Sequence, residues 1–162
     1  MANNVKAIPD GFHTLTPHLV VRDARRAIEF YQQAFGAQSL RVHYMPDGKT
    51  VMHASLKIGD SILMLDDEFP EMKVLSPQSV GGTSVTIHMY VENVDAAFNR
   101  AVAAGATVTM PVMDQFWGDR YGHLTDPFGH HWSIATQKEI VSPEEVRKRG
   151  EAAFAKMAQK GK

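Results

Sequence analysis

The chain has no cysteine among its 162 residues. Disulfides are therefore excluded, and with them every metal site built on thiolates. The compartment is not decided by that absence, and the cytoplasm is the expectation. An excess of either charge is also missing: 17 basic residues stand against 18 acidic ones, a net charge of −1. Such a balance gives no electrostatic grip on nucleic acid or on a membrane surface. No apolar run approaches the ~20 residues of a membrane span, and Met1 to Phe12 lacks the apolar stretch of a secretory signal. The P-loop, the dinucleotide fingerprint, the nucleophile elbow and zinc-finger spacing are all absent, as is a Gly-rich corner for an adenosyl cofactor. What remains is an ordinary globular chain, 44% apolar. Its length suits one domain with a real core, or two small modules packed as one.

What is present is a near-repeat. His18-Leu19-Val20-Val21-Arg22-Asp23 returns as His88-Met89-Tyr90-Val91-Glu92-Asn93. The same offset carries Gly48 onto Gly118, His53 onto His123 and Gly59 onto Gly129, and Gly36-Ala37 finds Gly105-Ala106 with one residue of slip. Turn glycines and strand starts matching together indicate one supersecondary unit, duplicated in tandem. A duplicated unit leaves a cleft between its copies, to which both contribute residues.

The local patterns give each unit the order strand, helix, three strands. Residues 1–13 form a loose arm with a Pro9-Asp10-Gly11 turn. In the first module, 14–67, Thr14 to Val21 reads as a strand with Pro17 marking an edge or bulge. Asp23 caps a helix whose apolar residues Ala27, Ile28, Tyr31 and Phe35 follow its period, and Gly36 stops it. Ser39–Met45, Thr50–Ile58 and Ser61–Leu65 are the three following strands, the first two joined by Pro46-Asp47-Gly48. Residues 68–82 are a linker, with a lid over the cleft as a second reading. The pattern breaks at Asp66-Asp67-Glu68 and resumes after Gly81-Gly82. The second module, 83–137, repeats the order, with Asn93 as helix cap and Asp126-Pro127-Phe128-Gly129 as the last turn. In the extension 138–162, Ser142-Pro143-Glu144-Glu145 reads as a capping box opening a helix that frays at Gln159 to Lys162. The fold class is α+β: eight strands in a curved, mixed sheet forming the halves of an open barrel, with a C-terminal helix added.

This order resembles the vicinal oxygen chelate superfamily, which includes glyoxalase I, extradiol dioxygenases, and the fosfomycin and bleomycin resistance proteins. Val21-Arg22-Asp23 followed by Ala27-Ile28-Glu29-Phe30-Tyr31 looks like that family's first strand–helix corner. Val91-Glu92-Asn93-Val94-Asp95-Ala96-Ala97 looks like its second, and Asp126-Pro127-Phe128-Gly129 like its late turn. The likeness covers about residues 14–137. Ile58-Gly59-Asp60-Ser61 and Trp117-Gly118-Asp119-Arg120-Tyr121-Gly122 resemble a methyltransferase-like or glyoxalase-like subgroup. The resemblance implies a homodimer and a ligand held in the cupped face of the strands. In metal-using members it implies ligands, usually His, Gln or Glu, from the first and fourth strands of each module. Those places fall here on Thr16, Met64 (Leu63 if the register slips), Thr86 and Ser133. None is a good ligand for a catalytic divalent ion, so no cofactor is expected.

His18 and His88 lie two residues beyond Thr16 and Thr86, and residues two apart on a strand share a face. Three roles compete for them: a hydrogen bond to a strand neighbour, contact with an oxygen-rich small molecule, or a displaced metal site. His53 and His123, also symmetry-related, read as ordinary strand residues. Adjacent His130 and His131 face opposite sides and cannot chelate as a unit. Trp117, Arg120 and Tyr121 read as core and surface, or as a pocket wall with a cation beside an aromatic platform. The function expected is metal-free binding of an apolar or aromatic small molecule. Thr16, His18, Thr86, His88 and Ser133 give the polar contacts, with Met64, Tyr90, Trp117, Arg120 and Tyr121 around them. The alternatives are a metal-dependent lyase, isomerase or transferase, with His18 and His88 as ligands of a divalent ion, and a dimeric scaffold without an open pocket. The expected partners are a small molecule and a second copy, with neither nucleic acid nor membrane.

Overall fold

The computed structural model describes residues 5–160; Met1 to Asn4 of the expected arm, and Gly161 and Lys162 of the expected frayed end, lie outside them. Each module has the expected order. In module one, β1 (His18–Val21) leads to α1 (Ala24–Phe35), then to β2 (Gln38–Tyr44), β3 (Val51–Ile58) and β4 (Ser61–Asp67). After a 3-10 turn at Pro70–Met72 and a short α2 (Pro77–Val80), module two follows. It comprises β5 (Thr86–Tyr90), α3 (Val94–Ala104), β6 (Thr107–Asp114), β7 (Asp119–Thr125) and β8 (His131–Gln137), before the terminal α4 (Pro143–Lys160). The eight strands lie as two four-stranded mixed sheets, ordered β1-β4-β3-β2 and β5-β8-β7-β6. These are the two barrel halves, and β1 and β5 are both edges.

The duplication holds at atomic detail. His18 pairs with Met64 in a parallel ladder, and His88 pairs with Ser133 in its twin. The Asp23 carboxylate accepts from Arg26 N, and the Asn93 side chain accepts from Ala96 N. Both are N-caps that satisfy a donor the helix leaves orphaned. Glycine in left-handed conformation ends both helices, at Gly36 and Gly105. One sheet face in each module is apolar and buried under its helix. Leu19, Val21, Leu56, Leu63 and Leu65 meet α1, while Leu124 and Ile134 lie beneath α3 and Trp132 reaches across to Tyr31 and Phe35 of α1. The two helices pack on each other, so both modules share one core.

Polar ties cross that junction. The Tyr31 hydroxyl donates to buried Asp126 at 2.7 Å, and the same carboxylate accepts from Trp132 Nε1, Phe128 N and His130 N, each at 2.9 Å. The D-P-F-G turn is therefore the acceptor that joins α1 to module two. Burial and the adjacent carboxylate hold the Tyr31 hydroxyl well above its usual pKa, so it stays a donor.

Several boundaries differ from the sequence reading. β1 starts at His18, not Thr14, because Pro17 has no N–H to give; its carbonyl accepts from Met64 N and opens the ladder. Thr16 therefore precedes the strand. At the linker, Asp66 and Asp67 belong to β4. The three acids point three ways. Asp66 takes the open face. Asp67 accepts from Ala24 N and Val51 N, while Glu68 accepts from Arg22, Ser76 N and the Ser79 hydroxyl. At α4, Ser142 accepts from Glu145 N as a cap should, but the Glu145 carboxylate goes to Arg149 instead of returning to Ser142. Half of the capping box forms because a neighbouring cation one turn on outcompetes the backbone.

Glu68 makes the linker sensitive to acid. Chiefly through the Ser79 hydroxyl, its pKa is lowered from 4.5 to about 2. A depressed carboxylate stabilises fully above its ordinary value and loses that contribution as pH falls through the folded-state value. Hydrogen exchange in residues 69–82 is therefore expected to accelerate, beyond its intrinsic pH dependence, between pH 4.5 and 2. Glu68→Gln should show the loosened linker already at pH 7; an unchanged exchange pattern in that variant would remove Glu68 as the tie.

Candidate functional site

Alternation along the strands gives each sheet a second face, opposite its helix. In module one this open face carries His18 and Val20 from β1, Met64 and Asp66 from β4, and His53 and Ser55 from β3. His18 Nε2 lies 3.3 Å from Asp66 Oδ2, and the His53 ring stands edge-on to His18 at 5.5 Å. Burial raises the Asp66 pKa, and His18 and His53 oppose the shift. The other oxygen, Oδ1, is buried without a hydrogen-bond partner. Burial also lowers His53, with His18 adding to the shift.

The equivalent face of module two is aromatic. His88 Nδ1 meets the buried Ser133 hydroxyl at 2.7 Å. Its ring lies nearly parallel to Tyr121 at 6.0 Å and edge-on to Tyr90 at 4.6 Å, and Trp117 stands edge-on to Tyr121 at 5.8 Å. Beneath them, buried Asp119 accepts from both the Tyr90 hydroxyl and Trp117 Nε1 through Oδ2. One carboxylate thus fixes two aromatic rings at defined angles, and its hydrogen bond raises the Tyr90 pKa. Burial lowers the His88 pKa below its ordinary value, with Asp119 opposing, and so favours the neutral ring. It keeps Nε2 for a ligand, as donor or acceptor according to its tautomer. Tyr90 is 63% exposed although it is held from behind.

Five of the expected site residues therefore come together: His88, Tyr90, Trp117, Tyr121 and Ser133. His18 and Met64 are register partners on the other module's open face. Thr86 opens β5, opposite His131. Thr16 lies outside the strands, on the lining of a cavity between the modules. Arg120 is elsewhere: as the alternate of Tyr121 it turns to the helix side, where Asp95 on α3 holds it bidentately at 2.8 Å and Asp114 at 3.1 Å. The sequence reading set His53 aside as an ordinary strand residue and did not place Asp66 or Asp119 in the site. Two of these were within reach of simple alternation, since Asp66 lies two residues beyond Met64 and Asp119 two before Tyr121.

The four places where the family metal would be held do not fit it. Met64 offers a thioether, Thr16 lies off the strand, Thr86 offers a neutral hydroxyl, and the Ser133 hydroxyl is buried against His88. Among the described residues, no group of three or more His, Asp or Glu side chains is arranged to hold a metal ion. No described helix is long and apolar enough to cross a membrane.

Comparison with known proteins follows the same outline. The model of the Glyoxalase/Bleomycin resistance protein/Dioxygenase superfamily matches residues 11–134, leaving α4 outside. Uncharacterized protein Rv0887c of Mycobacterium tuberculosis is 51% identical over 136 residues, 82% of this chain and 79% of that one. Among solved structures, TioX from Micromonospora sp. ML1 superposes with a TM-score of 0.63 at 27% identity, covering 77% of this chain and 98% of its own. The Arabidopsis thaliana At5g48480 product gives a TM-score of 0.61 at 27% identity, over 76% of this chain and 98% of its own.

Proposed function

The chain belongs to the Glyoxalase/Bleomycin resistance protein/Dioxygenase superfamily, and from that premise we propose that it binds an uncharged, planar organic molecule on its open sheet faces without a metal ion. The observation that carries this reading is the patch of His88, Tyr90, Trp117 and Tyr121, held from below by Ser133 and Asp119. Fixed aromatic rings offer stacking area at little entropic cost, and a neutral imidazole offers one directional hydrogen bond. A negative charge on the ligand would find no partner in Arg120, which is committed to Asp95 and Asp114. The protein would work in the cytoplasm as a homodimer, its partner covering the open faces. Support for the dimer comes from Leu40, Tyr44, Val108 and Met113, large apolar side chains left exposed on the outer strands β2 and β6.

The test is a panel of planar aromatic compounds, read by melting shift and calorimetry. Metal content is measured by mass spectrometry on untagged protein, and melting is repeated with Ni²⁺, Zn²⁺, Mn²⁺ and Fe²⁺. Saturable binding of a planar probe to metal-free protein is expected. Stoichiometric metal, or probe binding that appears only after metal is added, would overturn the reading in favour of a metal-dependent site.

A further inference from the structure

In a duplicated fold, whatever forms at the junction should form twice. Two cavities lie along the seam between the bare edges of β1 and β5, and the internal symmetry exchanges them. One is bounded by residues 13–17, the β3–β4 turn and β5; the other by residues 82–87, the β7–β8 turn and β1. They are unequal. The second measures about 300 Å³, and the linker closes on it through Leu75, Pro77 and Val80. Pro77 packs so tightly on Gly129 that a Cβ there would sit 2.9 Å away, and Gln78 ties α2 to Pro127 O. The first measures about 540 Å³, and no linker residue lines it.

The sequence differences between the twins are the ones that open the larger cavity. In the closed half, Phe30 and Phe128 pack ring against ring at 6.1 Å. Their equivalents by the repeat are Arg100 and Ile58, and both line the large cavity. A buried aromatic pair has been replaced by a cation and a smaller aliphatic side chain. Arg100 gives its Nε to Ala34 O at 2.8 Å and, among the described residues, forms no ion pair. The floor is the Phe35–Trp132 pair, centroids 4.6 Å apart, with Ile87 and Met89 as a wall. Asp60, the lining's carboxylate, sits on the β3–β4 turn and accepts from the Ser61 hydroxyl. The volume falls within the range of small-molecule sites.

We propose that this seam cavity is a second binding site, for a small apolar carboxylate, with its head group on Arg100 and its chain or ring on Phe35, Trp132, Ile87 and Met89. An Arg fork matches a carboxylate in shape and charge, and the apolar floor excludes a fully hydrophilic anion. The site reaches the helix side of β5 through Phe35, Arg100 and Trp132, and shares His88 and Tyr90 with the edge of the aromatic patch. The variants that block it are therefore placed at Arg100 and Ile58, positions that the open face lacks.

Octanoate and cyclohexanecarboxylate, with octanol and cyclohexanemethanol as uncharged, non-planar controls, are titrated into the full chain by calorimetry. The carboxylates are expected to bind with one equivalent per chain, and the alcohols at least about tenfold more weakly, the loss of one charged hydrogen bond. Arg100→Gln should reduce the carboxylates to the level of the alcohols. Ile58→Phe, which restores the twin's residue, should block all four probes. His18→Ala should leave them unaffected, which separates this site from the open face. No binding by either acid, equal affinity for acids and alcohols, or unchanged binding in both Arg100→Gln and Ile58→Phe would overturn the proposal.

Discussion

Asp126→Ala is expected to lower stability by roughly 4 kcal/mol or more, enough to lower the melting temperature by about 8–16 °C for a chain of this size. The carboxylate is buried and accepts from four donors, two of them the side chains of Tyr31 and Trp132. Its removal leaves four donors facing a small cavity with no acceptor, and an unmade buried hydrogen bond costs more than a made one returns. The loss falls where the modules join, because Tyr31 belongs to α1 and Asp126 to the last turn of module two. Tyr31→Phe grades the effect: it removes one donor and leaves Asp126 with three, so about 1–2 kcal/mol is expected. Denaturant unfolding of both variants is the measurement. If Asp126→Ala melts within about 2 °C of the parent, the carboxylate does not hold the junction and the helix packing alone suffices.

The double variant His18→Ala/His88→Ala is expected to weaken binding of a planar probe by roughly thirtyfold, equivalent to the loss of about two ordinary hydrogen bonds. Neither imidazole belongs to the buried core. His18 is exposed on an edge strand, and His88, partly exposed at another edge, leans on Ser133. Stability should therefore fall little, mainly from the Ser133 hydroxyl losing its partner. Calorimetry against a probe identified with the parent protein decides the matter. Unchanged affinity in a folded double variant would take both histidines out of the site. A loss confined to His88→Ala, with His18→Ala unaffected, would place the ligand on module two alone.

Much of this architecture is legible in the residues themselves. The offset of His18 and His53 onto His88 and His123 is a repeat written in the chain, and the caps at Asp23, Asn93 and Ser142 and the stops at Gly36 and Gly105 are local signals. Each acts within a few residues of where it is written, so strand–helix–three strands, given twice, needs no coordinates. Alternation on β5 likewise puts His88 and Tyr90 on one face. Tertiary structure decided the rest, because long-range partners are chosen by packing. No spacing in the sequence announces that Tyr31 and Trp132 share Asp126, or that Asp119 gathers Tyr90 and Trp117. Arg120 could have flanked the aromatic patch; one step of alternation sends it to Asp95 instead. The acids Asp66, Asp67 and Glu68 read as a linker, and only the register of β4 against β1 and β3 gives each its separate duty. An exact duplication would leave two equal cavities at the seam, where the sequence by itself indicated one cleft. Which one stays open was decided when the linker folded over Gly129 and Arg100 took the place that Phe30 fills in the twin.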